Sequence, residues 1–194
     1  MLTFCHNEQA SSRGFETSLR PRLTISCQAK GAQAAIPRVM HKHHDRFELM
    51  FIRAGSGVYN IDGQSYSVKK GDMIVFNANV LHDETPTATE DLLIYSCGVE
   101  QLKVDGLPMN VLTSRTQSPV ISCGEFYDEI AQLFDQMWSH VSRKRLYSSE
   151  IGDNLLGVLL LIFRDLWLEH KSEQETSIIL PGQRVKEYID NHYK

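Results

Sequence analysis

The chain has 194 residues, with 20 lysines and arginines against 24 aspartates and glutamates and a formal net charge of −4. That length suits one medium domain with its own core. A composition of 42% hydrophobic and 23% charged residues excludes disordered, collagen-like and coiled-coil classes. Residues 1–110 hold 11 basic and 12 acidic groups and residues 111–194 hold 9 and 12, so neither half is a phosphate-gripping surface.

Residues 1–20 are polar and weakly patterned, which reads either as a mobile arm or as a plain chain end. The opening Met-Leu-Thr-Phe-Cys-His-Asn-Glu lacks the basic start and apolar run of a signal peptide. Cys5, Cys27, Cys97 and Cys123 lie far apart, with no CxxC pair, so neither a disulfide framework nor a thiolate zinc site is expected. The longest apolar stretch, Leu155 to Phe163, is far shorter than the roughly 20 residues of a membrane span. A cytoplasmic protein without membrane contact is the expectation.

From Leu23 to Ile121, apolar and β-branched residues come in short runs broken by Gly, Asp, Asn and Pro. The runs are Leu23–Cys27, Phe47–Ile52, Val58–Ile61, Tyr66–Val68, Met73–Phe76 and Leu92–Cys97, a pattern of short strands that predicts a β-sandwich or barrel. Asp62-Gly63 supplies the two positive-φ positions of a type I′ hairpin turn, which sets Tyr59 opposite Tyr66. Lys69-Lys70-Gly71-Asp72 is a second turn, leading into Met73–Phe76.

After Pro119 the period becomes helical. Ser122-Cys123-Gly124-Glu125 has capping-box spacing, ahead of Phe126, Ile130, Leu133, Phe134, Met137 and Val141 at helical steps. His140 to Arg145 is a polar, basic break, and Ser149-Glu150 can start a second helix. There Ile151, Leu155, Leu159, Ile162 and Leu166 form one stripe, with Leu156, Leu160, Phe163 and Trp167 beside it. Two adjacent apolar faces fit either a central core helix or a helix shared between the barrel side and a partner subunit. In the second case Leu155, Leu159, Ile162 and Leu166 are the dimerisation candidates. Glu169 to Ser177 reads as a linker, and from Pro181 a short helical pattern presents Val185, Tyr188 and Ile189. Its break at Lys194 suggests the start of a further domain.

Histidine is concentrated in Met40-His41-Lys42-His43-His44-Asp45-Arg46-Phe47-Glu48, giving H-x-H-x4-E-x6-G from His41 to Gly55. Downstream, Gly71 to His82 gives G-x5-N-x-N-x2-H. This pair resembles the two motifs of the cupin superfamily, small antiparallel β-barrels. The resemblance implies that a divalent metal, where one is bound, is held by His41, His43, Glu48 and His82. Imidazole and carboxylate suit Fe, Mn, Zn or Ni, and four ligands leave positions open on a six-coordinate ion. Three departures stand out. Asn77 and Asn79 replace the usual Pro and Gly, Pro86 replaces an Asn, and no Gly lies six residues before His41. Residues five apart on one strand point to opposite faces, so His43 and Glu48 meet only if the chain kinks near Asp45-Arg46; otherwise His44 shares the face of Glu48. The alternative to metal is a polar barrel mouth whose side chains bond one another and a ligand.

The run from His43 to His82, with Phe47-Glu48-Leu49, Gly55-Ser56-Gly57, Tyr66-Ser67-Val68 and Gly71-Asp72, is similar to the sensor domain of AraC-type transcription regulators. Arg184-Val185-Lys186-Glu187-Tyr188-Ile189-Asp190-Asn191-His192-Tyr193 resembles the phrase that opens their DNA-binding domain. The order of parts matches along about 170 residues. This implies an α+β chain, mainly β with C-terminal helices. Its parts would be an arm (1–20), a cupin-like antiparallel barrel (21–121), a helical pair for dimerisation (122–170), a linker (171–180) and the first helix of a helix-turn-helix domain (181–194).

The implied function is effector sensing in a homodimeric regulator that reaches DNA only through its C-terminal domain, with no catalysis and no obligatory cofactor. The alternation in Phe47 to Arg53 puts Glu48, Met50 and Ile52 on one face, turned inward by the cupin analogy. The effector-contact set is then Arg38, His41, His43, Glu48, Tyr59, His82 and Tyr95, with Arg38 suited to an anionic effector. The rival reading is a metal-dependent cupin enzyme, an oxygenase or isomerase, using His41, His43, Glu48 and His82. A sugar-binding module that only oligomerises is a third.

Overall fold

The computed structural model describes residues 20–87 and 91–168. The expected linker and terminal helix, and all but residue 20 of the expected arm, lie outside them. In chain order the elements are β1 (Arg22–Lys30), α1 (Gly31–Ala34), β2 (Arg38–His41), β3 (Phe47–Ala54), β4 (Ser56–Ile61) and β5 (Gln64–Lys69). They continue with β6 (Asp72–Phe76), β7 (His82–Pro86), β8 (Leu93–Glu100), β9 (Val120–Ser122) and α2 (Tyr127–Arg143). Residues 148–168 are helical and are labelled α3.

The strands form two antiparallel sheets, β1-β8-β3-β6-β9 and β2-β7-β4-β5. Both predicted turns form. Asp62 and Gly63 take φ of 50° and 80°, closing a two-residue hairpin in which Tyr59 faces Tyr66. At the second, Gly71 has φ 90° and the Lys69 N–H donates to Asp72 Oδ2 at 2.9 Å. The strand runs read from the sequence correspond to β1, β3, β4, β5, β6 and β8. Strands β2, β7 and β9 were not among them, because His, Asp, Glu and Ser interrupt their apolar pattern.

Alternation on β3 distributes its side chains between two cores. Met50 and Ile52 join Tyr59, Ile61, Val68, Ile74, Phe76 and Ile94 between the sheets. Phe47, Leu49 and Phe51 point the other way, into a second core with Val75, Tyr95 and Val99 and with both long helices. Helix α2 contributes Ile130, Phe134 and Met137, and α3 contributes Leu156, Leu159, Leu160, Phe163, Leu166 and Trp167. Close packing fixes the start of α3 against β1: a Cβ on Gly152 would stand 2.9 Å from Leu23 Cδ2, and the Leu23 N–H donates to Asp153 Oδ1 at 2.7 Å.

Two expectations about the helices need correction. Ser122 ends β9 and gives no capping bond; a 3-10 turn over Gly124–Phe126 enters α2 instead. The proposed dimerisation stripe is also interior: Leu159, Ile162 and Leu166 are buried in the helical core, and Leu155 is packed partly against it. Both apolar stripes of α3 therefore serve one core, which the sheet, α2 and α3 share. The apolar side chains that α3 leaves exposed are Val158, Leu161 and Leu168.

Candidate functional site

Four backbone segments bring the polar residues together at one end of the space between the sheets. His41 ends β2, His82 opens β7, and the two are cross-strand partners. Residues 42–46 are not strand, so the chain breaks before β3 and the parity obstacle disappears. His43 Nε2 stands 3.1 Å from Glu48 Oε1, while His44 is exposed with Nδ1 2.7 Å from Asn79 Oδ1. Asn79 also donates its backbone N–H to the His43 carbonyl at 2.6 Å, from a positive φ of 65°. The Asn that departs from the cupin pattern is thus the residue that fixes the His43–His44 turn.

Imidazole orientation follows from the partners. His82 Nδ1 lies 2.9 Å from the Val80 carbonyl and His41 Nδ1 lies 2.8 Å from the Val39 carbonyl. A carbonyl only accepts, so each Nδ1 carries the proton and each Nε2 presents a lone pair. One ring nitrogen from each of His41, His43 and His82 lies within 4.8 Å of the others. His82 Nε2 and His43 Nε2 are buried without a hydrogen-bond partner, the His43–Glu48 approach being misaligned for one. His82 is fully buried and stacked on Phe76, 4.2 Å between ring centres. Burial lowers its pKa from 6.5 to about 4, against the raising effect of the Val80 carbonyl. Burial also lowers His43, opposed by the Glu48 charge. Near neutral pH His82 is an uncharged acceptor.

A carboxylate outside the expected set belongs here. Glu84 is buried, and a carboxylate oxygen of Glu84, one of Glu48 and a nitrogen of His82 lie within 4.8 Å of one another. Burial raises the pKa of Glu84, opposed by Arg38, whose Nη1 is 3.4 Å from Oε1. The signal for Glu84 was parity: His82, Glu84 and Pro86 alternate inward on β7 while Asp83 and Thr85 turn outward. Arg38 is therefore already engaged with an acid, as its cross-strand pairing with Glu84 requires. Tyr59 is buried with an unpartnered hydroxyl, and its pKa is raised by burial and by the Glu84 charge.

Tyr95 does not join this group. Paired with Phe51 on the helix-facing side of the sheet, it packs near Phe134 and bonds Asp135 and Gln28. Its neighbour Ser96, paired with Met50, takes the inward position, so the alternation of β8 excludes Tyr95 from the interior.

The AraC-like ligand binding domain model matches residues 19–160, most of the chain and all of this geometry. The chain belongs to the AraC-like ligand binding domain family. The domain is also 22% identical over 159 residues to the uncharacterized HTH-type transcriptional regulator YdiP of Escherichia coli (strain K12). That alignment covers 79% of this chain and 52% of the relative, so the chain spans about half the length of the curated relative it matches. Among solved structures, the predicted oxalate decarboxylase of Thermotoga maritima is similar at 22% identity and a TM-score of 0.35, covering 41% of this chain and 68% of that one. A cupin protein from Bacteroides fragilis is similar at 17% identity and a TM-score of 0.33, covering 59% and 96%. Among the described residues no helix is long and apolar enough to cross a membrane.

Proposed function

We propose that this domain senses a small-molecule effector between its sheets and that binding there controls a DNA-binding helix-turn-helix domain of the same cytoplasmic regulator. The observation that carries the reading is the buried, incompletely satisfied polar group of His43, His82, Glu48, Glu84 and Tyr59 at one end of an otherwise apolar interior. Buried polar atoms without partners cost stability, so a site that keeps several of them fits a ligand-binding role. Arg38 and His41 flank that group, and Tyr95 is no longer a contact. The effector acts by favouring one arrangement of the sheets and helices over another. Where two subunits join through α3, the face free to do so is Val158, Leu161 and Leu168, not Leu159, Ile162 and Leu166.

The test is a gel-shift titration of the full-length regulator on its own promoter region, repeated with candidate compounds. Compounds that raise the melting temperature of the isolated chain should change DNA affinity, and His82→Phe should abolish the response. The reading fails if stabilising compounds leave DNA binding unchanged.

One observation favours a second reading, a metal-dependent enzyme. The inward lone pairs of His41 and His82, each ring held through Nδ1 by a backbone carbonyl, and the unpartnered His43 Nε2 beside Glu48 fit a divalent ion. His41, His43, Glu48 and His82 would hold it, and the ion would supply Lewis acidity when bound. Stoichiometric Fe, Mn, Ni or Zn by elemental analysis, lost in a His41→Ala/His82→Ala double variant, would favour this reading.

A further inference from the structure

Resting on the sensing reading, we infer that Glu84 is the recognition carboxylate of the interior and that the effector offers it N–H or O–H donors rather than an anionic group. The inventory of interior groups carries this. His82 spends its only proton on the Val80 carbonyl and so faces inward as an acceptor, and the Nδ1 proton of His41 goes likewise to the Val39 carbonyl. Glu48 and Glu84 are acceptors by nature, and both are more than nine-tenths buried. His82 Nε2 is buried and unpartnered, and a ring nitrogen of His82 lies within 4.8 Å of a carboxylate oxygen of each. Of the two nearby cations, Arg46 Nε faces Glu48 at 3.5 Å and Arg38 Nη1 faces Glu84 at 3.4 Å. Both guanidiniums stand over these carboxylates, Arg46 Nε without a hydrogen bond of its own, so any anion entering would compete for them with two buried carboxylates.

Arg38 is also the replaceable partner. Its side chain is 49% exposed whereas that of Glu84 is 6% exposed, so Arg38 can swing into water and keep its hydration while Glu84 stays where it is. Beside Glu84 lies a cleft of about 30 Å³ lined by Gln33, Arg38, Met50, Ile94 and Ser96, room for one or two waters. Withdrawal of Arg38 opens that cleft, and an ammonium or hydroxyl then takes its place on Glu84 with an apolar body against Met50 and Ile94. Tyr59, whose hydroxyl is the unpartnered neutral donor here, serves a ligand oxygen. An amine and a polyol share this donor chemistry, and two probes separate them.

The experiment measures thermal shifts of the whole chain with butylamine, erythritol and butyrate, matched at four carbons. Butylamine or erythritol should raise the melting temperature by about 3 °C or more while butyrate does not; whichever of the two acts identifies the donor. Glu84→Gln, with a native circular-dichroism spectrum, should lose the shift, and Arg38→Gln should keep or enlarge it because a competitor for Glu84 is gone. The inference is overturned if butyrate alone stabilises, if none of the three does, if Glu84→Gln retains the shift, or if Arg38→Gln abolishes it. These outcomes leave the sensing reading standing, since that one is decided by whether any stabilising compound alters DNA binding by the full-length protein.

Discussion

Acid should unfold this domain through His82, and the size of the effect follows from its burial. The ring is fully buried, stacked on Phe76, and its pKa falls from 6.5 to about 4. The unfolded chain takes up the proton first as pH drops, so stability present above the unfolded pKa is lost progressively down to about pH 4. At pH 5 the loss amounts to about 2 kcal/mol relative to pH 7.5. His43, lowered by burial, acts in the same direction. Glu84 and Asp72, raised by burial, act in the opposite one: their contribution is present at low pH and is lost as pH rises through their folded values. His82→Phe removes only the His82 contribution and retains an aromatic ring against Phe76. Urea denaturation at pH 7.5 and pH 5 checks this: the stability lost between the two should be about 2 kcal/mol smaller in the variant. An equal loss in wild type and variant would refute the argument, whatever the absolute stabilities.

Three further predictions concern packing and positioning. Gly57→Ala should cost about 1–3 kcal/mol in a urea melt, because the added methyl would stand 2.8 Å from Pro86 Cα and 3.0 Å from the Thr85 carbonyl, backbone atoms that cannot yield. Leu159→Ala should lower stability by about 2–5 kcal/mol and Leu161→Ala by less than about 0.5, since the first is core and the second exposed; similar values would reverse the assignment of the α3 faces. Asn79→Ala should cost about 1 kcal/mol through its positive φ. It should also move the His43 ring resonances in a proton–nitrogen spectrum, as the loss of the His44 anchor requires.

The parts of the fold legible in the sequence were those fixed by local chemistry. Asp62-Gly63 and Lys69–Asp72 demand particular backbone angles whatever surrounds them, and the alternation of β3 already put Glu48 with Met50 and Ile52. The break at residues 42–46, which joins His43 to Glu48, was legible as a geometric requirement. What stayed hidden depends on the layer each face meets. Tyr95 and Ser96 are neighbours of opposite fate, and nothing in β8 says which side the helices cover. Helical phase already separated Leu159, in a stripe, from Leu161, outside both, but only the packing of α3 into the core shared with the sheet and α2 makes that stripe interior. Glu84 escaped notice because His-Asp-Glu-Thr-Pro has no apolar member before Pro86 to announce a strand, although its parity with His82 was present.

Strand β3 is a party wall. Met50 and Ile52 are on the side between the sheets, Leu49 and Phe51 on the helix side, and every one of the four is exposed over 1% or less of its surface. Interiors packed to this density do not compress, so a wall with tenants on both sides cannot bow privately. If a guest presses on Met50, the push arrives at Phe134, stacked 5.5 Å from Phe51, with no spring or cable between. The message and the masonry are the same residues.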